Sequence, residues 1–257
     1  MRHHLIFQTD FKSKSDLFRH LGLVLVFVMP TALIAFFWID QPLALWMQDP
    51  ARQLFWVFNR EITEIGEGSH FFAFSLTSYL LLRFGLRKKN TDAGISWFGR
   101  KVNLDWIQAW SIQFFLALCF SGTIVQLTKI LVGRQRPHKS QIFENQIYSP
   151  LSFHWDWHSF PSGHSQTLFT VFVFLSLLWP KARWFIFATI TYLCLTRAFT
   201  QAHFLSDVIT GAFFGYAGAL ITINFFSSRS RLLLDGHFWM DPQVDSSSKN
   251  SEAVAGP

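Results

Sequence analysis

The chain has 257 residues, 50% of them hydrophobic and only 15% charged, with 31 Phe, 11 Trp and a formal net charge of +6. That apolar content could fill a large soluble core, but its arrangement in long uninterrupted runs argues against one. The positive balance could suggest a nucleic-acid partner, but its placement along the chain points to a membrane instead.

Six runs are mostly apolar and close to the roughly 17–25 residues that a bilayer core requires. In chain order they are Phe18–Ile39, Ser69–Leu86, Trp106–Leu131, Gly163–Trp179, Trp184–Ala198 and Leu205–Phe226. The expected fold class is therefore all-α, an integral membrane bundle of six transmembrane helices. The first run starts late, is long and lacks a small-x-small site after it, so it reads as a retained helix and not a cleaved leader. After it, "IDQPLALWMQDPARQLFWVFNREITEIGEGS" mixes Trp46, Phe55, Trp56 and Phe58 with charges, as helices lying in the interface do. Residues 1–240 read as one six-span domain, and 241–257, with little to bury, as a disordered cytoplasmic tail.

With six spans, both termini and two of the connections share one side. That side would hold 15 of the 22 Lys and Arg residues, including Arg87, Lys88, Lys89, Arg100, Lys101, Lys181 and Arg183. The positive-inside rule makes it cytoplasmic, with the opposite face toward the exterior. Five of the other seven basic residues, Lys129, Arg134, Arg136, Lys139 and Arg197, gather around two short segments of that opposite face. Cys119 and Cys194 sit inside apolar runs, where a disulfide is not expected. Gly211, Gly215 and Ala219 recur every four residues in the last run. Such a stripe of small residues lets membrane helices approach closely, and packing within the chain is its plainer account than dimerisation.

Three segments on the less basic face hold most of the polar groups that need an explanation. "KILVGRQRP" carries Lys129 and Arg136; "PSGH" is Pro161 to His164; "RAFTQAHFLSD" carries Arg197, His203 and Asp207. Lys129, Arg136 and Arg197 suit a multiply charged oxyanion, since guanidinium forks match phosphate oxygens and lysine adds a point charge. Ser162 and Gly163 open a helix, whose free N–H groups favour an anion. His203 and Asp207 are four apart and share a helical face, so the carboxylate could orient the imidazole as nucleophile or base. His164 would then serve as the acid. Taken singly, each has a duller account: snorkelling cations, a serine helix cap, a buried ion pair. Their agreement on one face favours a site.

Together the segments resemble the signature of the type-2 phosphatidate phosphatase superfamily, which also includes vanadium-dependent haloperoxidases. Lys129, six residues and Arg136-Pro137 match its first motif, and Pro161-Ser162-Gly163-His164 its second. Thr196-Arg197, five residues, His203, three residues and Asp207 match its third, with Thr196 standing for the usual Ser. The resemblance implies a two-step phosphatase that needs no metal or other cofactor. In it His203 is the nucleophile, Asp207 its orienting carboxylate and His164 the acid, while Lys129, Arg136, Ser162, Gly163 and Arg197 bind the phosphoryl group. The implied substrate is a phosphorylated lipid: lipid A 1-phosphate, phosphatidylglycerol phosphate, phosphatidate or undecaprenyl pyrophosphate. Alternatives are phosphotransfer from the same site, or a lipid transporter or binding protein without turnover. No nucleic-acid partner is implied. Glu64, Glu67 and His70 could line a cavity or simply form a solvated helix face. Trp155 and Trp157 could anchor at the interface or form a lid, and His158 falls outside every motif.

Overall fold

The computed structural model describes residues 11, 13–86, 96–97, 100–101, 104–138 and 148–227. Helix α1 (Lys14–Ile34) begins at Ser13, whose hydroxyl accepts the Asp16 N–H at 3.2 Å. Such a cap satisfies one of the N–H groups left unpaired at a helix start. The helix does not stop at Ile39, where the apolar run ends. It passes through a π-helical turn (Ala35–Ile39) into α2 (Asp40–Gln48), making one 35-residue helix. Pro42 explains the widened turn: it lacks an N–H, and its ring crowds the carbonyl four residues back, at Trp38. Asp40 does not break the helix because its carboxylate is buried against partners elsewhere in the chain.

A short helix α3 (Gln53–Thr63) follows, then α4 (Gly68–Leu80) with a π-helical end (Leu81–Leu86). The two-residue strands β1 (Ser96–Trp97) and β2 (Arg100–Lys101) pair antiparallel ahead of the 29-residue α5 (Leu104–Val132). The chain continues with α6 (Gly163–Leu178), α7 (Arg183–Phe199) and α8 (Leu205–Ser227). Among the described residues the fold is thus all-α apart from that small hairpin. Three helices among the described residues are long and apolar enough to cross a membrane: Lys14–Gln48, Leu104–Val132 and Leu205–Phe226. The second, fourth and fifth apolar runs become the shorter α4 with its π-helical end, α6 and α7. The tail from Asp241 and most of the Arg87–Lys101 connection lie outside the described residues.

The centre of the bundle is α5, α6 and α8. Trp110, Phe114 and Phe174 interlock there with ring centroids 5.1 to 5.6 Å apart, and the Trp110 indole N–H donates to the Phe174 carbonyl at 3.0 Å. A buried indole needs that partner, because an unsatisfied donor costs more than the bond gains. Val26, Phe27, Phe37 and Trp38 stay exposed on the first helix, a surface suited to lipid and not to water. Beyond it, α3 packs on α7, and the Trp56 indole N–H donates to the Thr200 carbonyl at 3.3 Å.

The small-residue stripe on α8 packs within the chain. A Cβ at Gly211 would collide with the Ser162 carbonyl, and one at Gly215 with the Gln166 carbonyl. These absent side chains let α8 lie against the first turns of α6, which sets the separation of His164 from His203. Gly215→Val should lower the thermal midpoint of the detergent-solubilised protein, by about 1–3 kcal/mol of overpacking. Gly22→Ala, where an added Cβ meets nothing within 4 Å, should leave it unchanged. Thermal melts of the two variants side by side check this.

Candidate active site

The first segment is shaped by a helix end. Gly133 follows α5 with φ 58°, a left-handed conformation in which its N–H donates to the Lys129 carbonyl at 2.9 Å. A side chain there would strike the Ser149 backbone, so glycine is required twice over. The turn leaves Lys129 buried in the last turn of α5, with its ammonium donating to the His158 carbonyl at 2.7 Å. Arg136 is fixed by backbone as well: its Nε donates to Trp155 O at 3.3 Å and its Nη1 to Ala202 O at 3.4 Å. Its guanidinium lies 3.8 Å from the centroid of the exposed Trp155 ring. Burial lowers the Arg136 pKa to about 10, against the pull of Asp207 and Asp156, so it remains a cation at neutral pH.

Ser162 caps α6, its hydroxyl accepting the Ser165 N–H at 3.4 Å and the Ser165 hydroxyl at 3.0 Å. The Ser162 N–H donates to the Asp207 carbonyl at 3.0 Å, which ties α6 to α8 at their starts. Gly163 and His164 are partly exposed beside it, and a Cβ at Gly66 would sit 3.3 Å from the His164 ring. Arg197, near the end of α7, donates to the Thr63 hydroxyl of α3 at 3.3 Å. That hydroxyl also accepts from Thr196 at 2.9 Å. The Arg197 Nε is buried without a protein partner, a donor left over for something else.

His203 is oriented differently from the expectation. Its Nδ1 lies 2.6 Å from the Ser159 carbonyl, while the nearest Asp207 oxygen is 4.0 Å away. A carbonyl oxygen only accepts, so Nδ1 carries the proton and Nε2 keeps its lone pair. Backbone therefore holds the tautomer that was assigned to the carboxylate. Helical spacing did put the two residues on one face, but Asp207 is engaged elsewhere. It accepts from the Ser159 hydroxyl at 2.6 Å, the Phe204 N–H at 2.9 Å and Arg134 Nη1 at 2.5 Å. Burial lowers the His203 pKa well below 6.5, and Lys129, Arg136 and Arg197 push it the same way. The three cations thus converge on the imidazole, and they bear on His164 as well.

Arg134 and Asp40 escaped the sequence reading. Arg134 looked like a flanking cation, yet it is buried, with Nη2 on Asp40 at 2.9 Å and Nη1 also on the Ser206 hydroxyl at 2.7 Å. Burial lowers its pKa, but Asp207 and Asp40 override this and leave it raised. Asp40 in turn accepts the Ser206 N–H at 3.0 Å. An acidic residue directly after the first apolar run was the available signal, since charge at membrane depth rarely goes unused. His158 also gains a place: its carbonyl holds Lys129, and its Nε2 lies 2.9 Å from the Ser152 carbonyl. Glu64, Glu67 and His70 remain exposed.

Comparison with known proteins matches a model of the PAP2 superfamily to residues 110–231. The Lipid A 1-phosphatases of Rhizobium johnstonii and Rhizobium etli are each 37% identical over 119 residues, 46% of this chain and 48% and 50% of theirs. The chain therefore spans about half the length of the curated relatives it matches. A crystal structure of Aquifex aeolicus LpxE is similar with a TM-score of 0.49 and 19% identity, over 73% of this chain and 96% of that one.

Lys129, Arg136 and Arg197, with a spare buried donor on Arg197, are suited to hold an anion. Inorganic phosphate should bind and change the tryptophan fluorescence. Arg197→Ala should weaken that binding by about 1.5–3 kcal/mol, on the order of ten- to a hundredfold. Fluorescence titration measures both.

Proposed function

The chain carries a PAP2 superfamily domain over residues 110–231, and on that premise we propose that it is a metal-independent membrane lipid phosphatase working through a phosphohistidine. The observation that carries the reading is the imidazole of His203. Its Nδ1 is tied to the Ser159 carbonyl, which leaves Nε2 with its lone pair, and Lys129, Arg136 and Arg197 act on the ring electrostatically. A neutral nitrogen facing three cations is suited to attack on a phosphoryl group whose oxygens those cations hold.

In the first step, Nε2 of His203 forms a bond to phosphorus as the bond from phosphorus to the lipid oxygen breaks. His164 gives that leaving oxygen its proton. In the second, water attacks the phosphohistidine, His164 takes the water's proton, the P–N bond breaks and phosphate leaves. Lys129, Arg136 and Arg197 hold the phosphoryl oxygens through both steps, assisted by the N–H groups at the start of α6. Ser162 contributes mainly as the cap of that helix. Asp207 acts behind His203 as a source of negative charge and not as its direct hydrogen-bond acceptor.

Lipid A 1-phosphate is the first candidate substrate, supported by the names of the two Rhizobium relatives. The bundle is proposed to cross the membrane six times, with both termini cytoplasmic and the site at the outer face. The distribution of Lys and Arg supports that orientation. Lys129 and Arg197 lie near the ends of α5 and α7, and Arg136 just beyond α5, on the face proposed to be the outer boundary, where a lipid headgroup can enter sideways.

Purified protein should release phosphate from lipid A more rapidly than from phosphatidate, phosphatidylglycerol phosphate or undecaprenyl pyrophosphate at equal surface density. His203→Ala should reduce release on the order of a thousandfold or more; intact binding with no release from any of these lipids would overturn the reading. Activity should persist in EDTA and be inhibited by vanadate. Because the His203 pKa is lowered, the imidazole stays neutral, and nucleophilic, as pH falls through 6.5. The acid limb of kcat/KM assigned to this group should therefore lie below 6.5.

A further inference from the structure

Arg134 joins three parts of the chain that are far apart in sequence. Its fork meets Asp40, at the π-helical turn of the first helix, and Asp207, in the first turn of α8. Every polar contact of the two carboxylates comes from a donor. Asp207 receives Arg134, the Ser159 hydroxyl and the Phe204 N–H; Asp40 receives Arg134, the Ser206 hydroxyl and the Ser206 N–H. Donor-only surroundings are those of ionised carboxylates, which can only accept. One positive charge then stands between two negative ones, and the cluster retains one negative charge.

That surplus has a use. His203 is faced by Lys129 from α5, Arg136 from the α5–α6 connection, Arg197 from α7 and Asp207 from α8, with the Ser159 carbonyl on its Nδ1. Once Nε2 bonds to phosphorus while Nδ1 keeps its proton, the ring becomes a cation. Had Arg134 only Asp207 as partner, the two would cancel and little would oppose the new charge. Asp40 prevents the cancellation by engaging the other arm of the guanidinium. We propose that Arg134 and Asp40 are positioning residues: Arg134 holds Asp207 ionised behind His203, and Asp40, on the other arm of the guanidinium, keeps the charge there net negative, favouring the phosphorylated imidazole. The π-helical turn just ahead of Asp40 fits this role, since such turns often sit where a helix must aim a functional side chain.

This inference rests on the phosphatase reading, so its test has one arm with turnover and one without. Asp40→Asn keeps the shape and removes the charge. On a short-chain phosphatidate it should lower kcat on the order of ten- to a hundredfold with KM within about threefold. In the second arm, tryptophan fluorescence follows vanadate and inorganic phosphate binding. Vanadate accepts a bond from the imidazole and should bind about tenfold or more weakly to Asp40→Asn, whereas phosphate, which does not, should change little. Ser206→Ala, which loses the hydroxyl shared by Arg134 and Asp40 but keeps all three charges, should shift both readouts the same way and less. It also serves if Asp40→Asn fails to fold. Unchanged kcat and an unchanged ratio of vanadate to phosphate affinity would overturn the proposal. So would equal losses for both anions, the mark of a merely structural role. If the unaltered protein releases no phosphate, the phosphatase reading fails by itself, and the vanadate arm still decides the role of Asp40.

Discussion

The buried guanidinium of Arg134 is the interaction on which the arrangement depends. Two carboxylates inside an apolar bundle could not both stay ionised without a cation between them, because desolvating an unpaired charge costs far more than folding can supply. Arg134 supplies that cation, and its planar fork fixes direction as well as charge. One arm anchors the start of α8 and the other the middle of the first helix, so two long apolar helices share one polar joint. The Phe204 ring lies 4.0 Å from the guanidinium carbon and the Phe36 ring 5.0 Å from it, covering the joint with aromatic faces.

Around this joint two cations of the candidate site are held by backbone carbonyls. Lys129 rests on His158, and Arg136 on Trp155 and Ala202. Neutral acceptors aim the side chains without cancelling their charge, which leaves the full field for a bound anion. The segment from Tyr148 to Pro161 is thus a supporting shell as much as a connection. It positions Lys129, stacks Trp155 on Arg136 and, through Ser159, touches both His203 and Asp207. The close approach of α8 to α6 at Gly211 and Gly215 sets the other dimension of the site.

Much of this could be read from the chain because it depends on local pattern. The apolar runs have the length of helices, the four-residue spacing of the α8 glycines marks a packing face, and the three polar segments carry their spacing on their surface. The acceptor that holds His203 was not legible, for an equally clear reason. Helical spacing states which side chains share a face, not which acceptor wins, and the Ser159 carbonyl comes from a loop whose path spacing does not encode. The first helix outran its apolar run because the fate of Asp40 depends on a partner 94 residues away.

By itself, then, the sequence determined an all-α membrane chain, the three polar segments that make up the candidate site, and the packing stripe of the last helix. Each follows from hydrophobic length or residue spacing, which are properties of neighbours along the chain. Only the tertiary structure decided that backbone orients His203, that Ser162 serves α6 as its cap, and that Arg134 and Asp40 stand behind Asp207. Those outcomes are competitions among donors and acceptors for the same buried partners, and such competitions are settled only when distant segments meet.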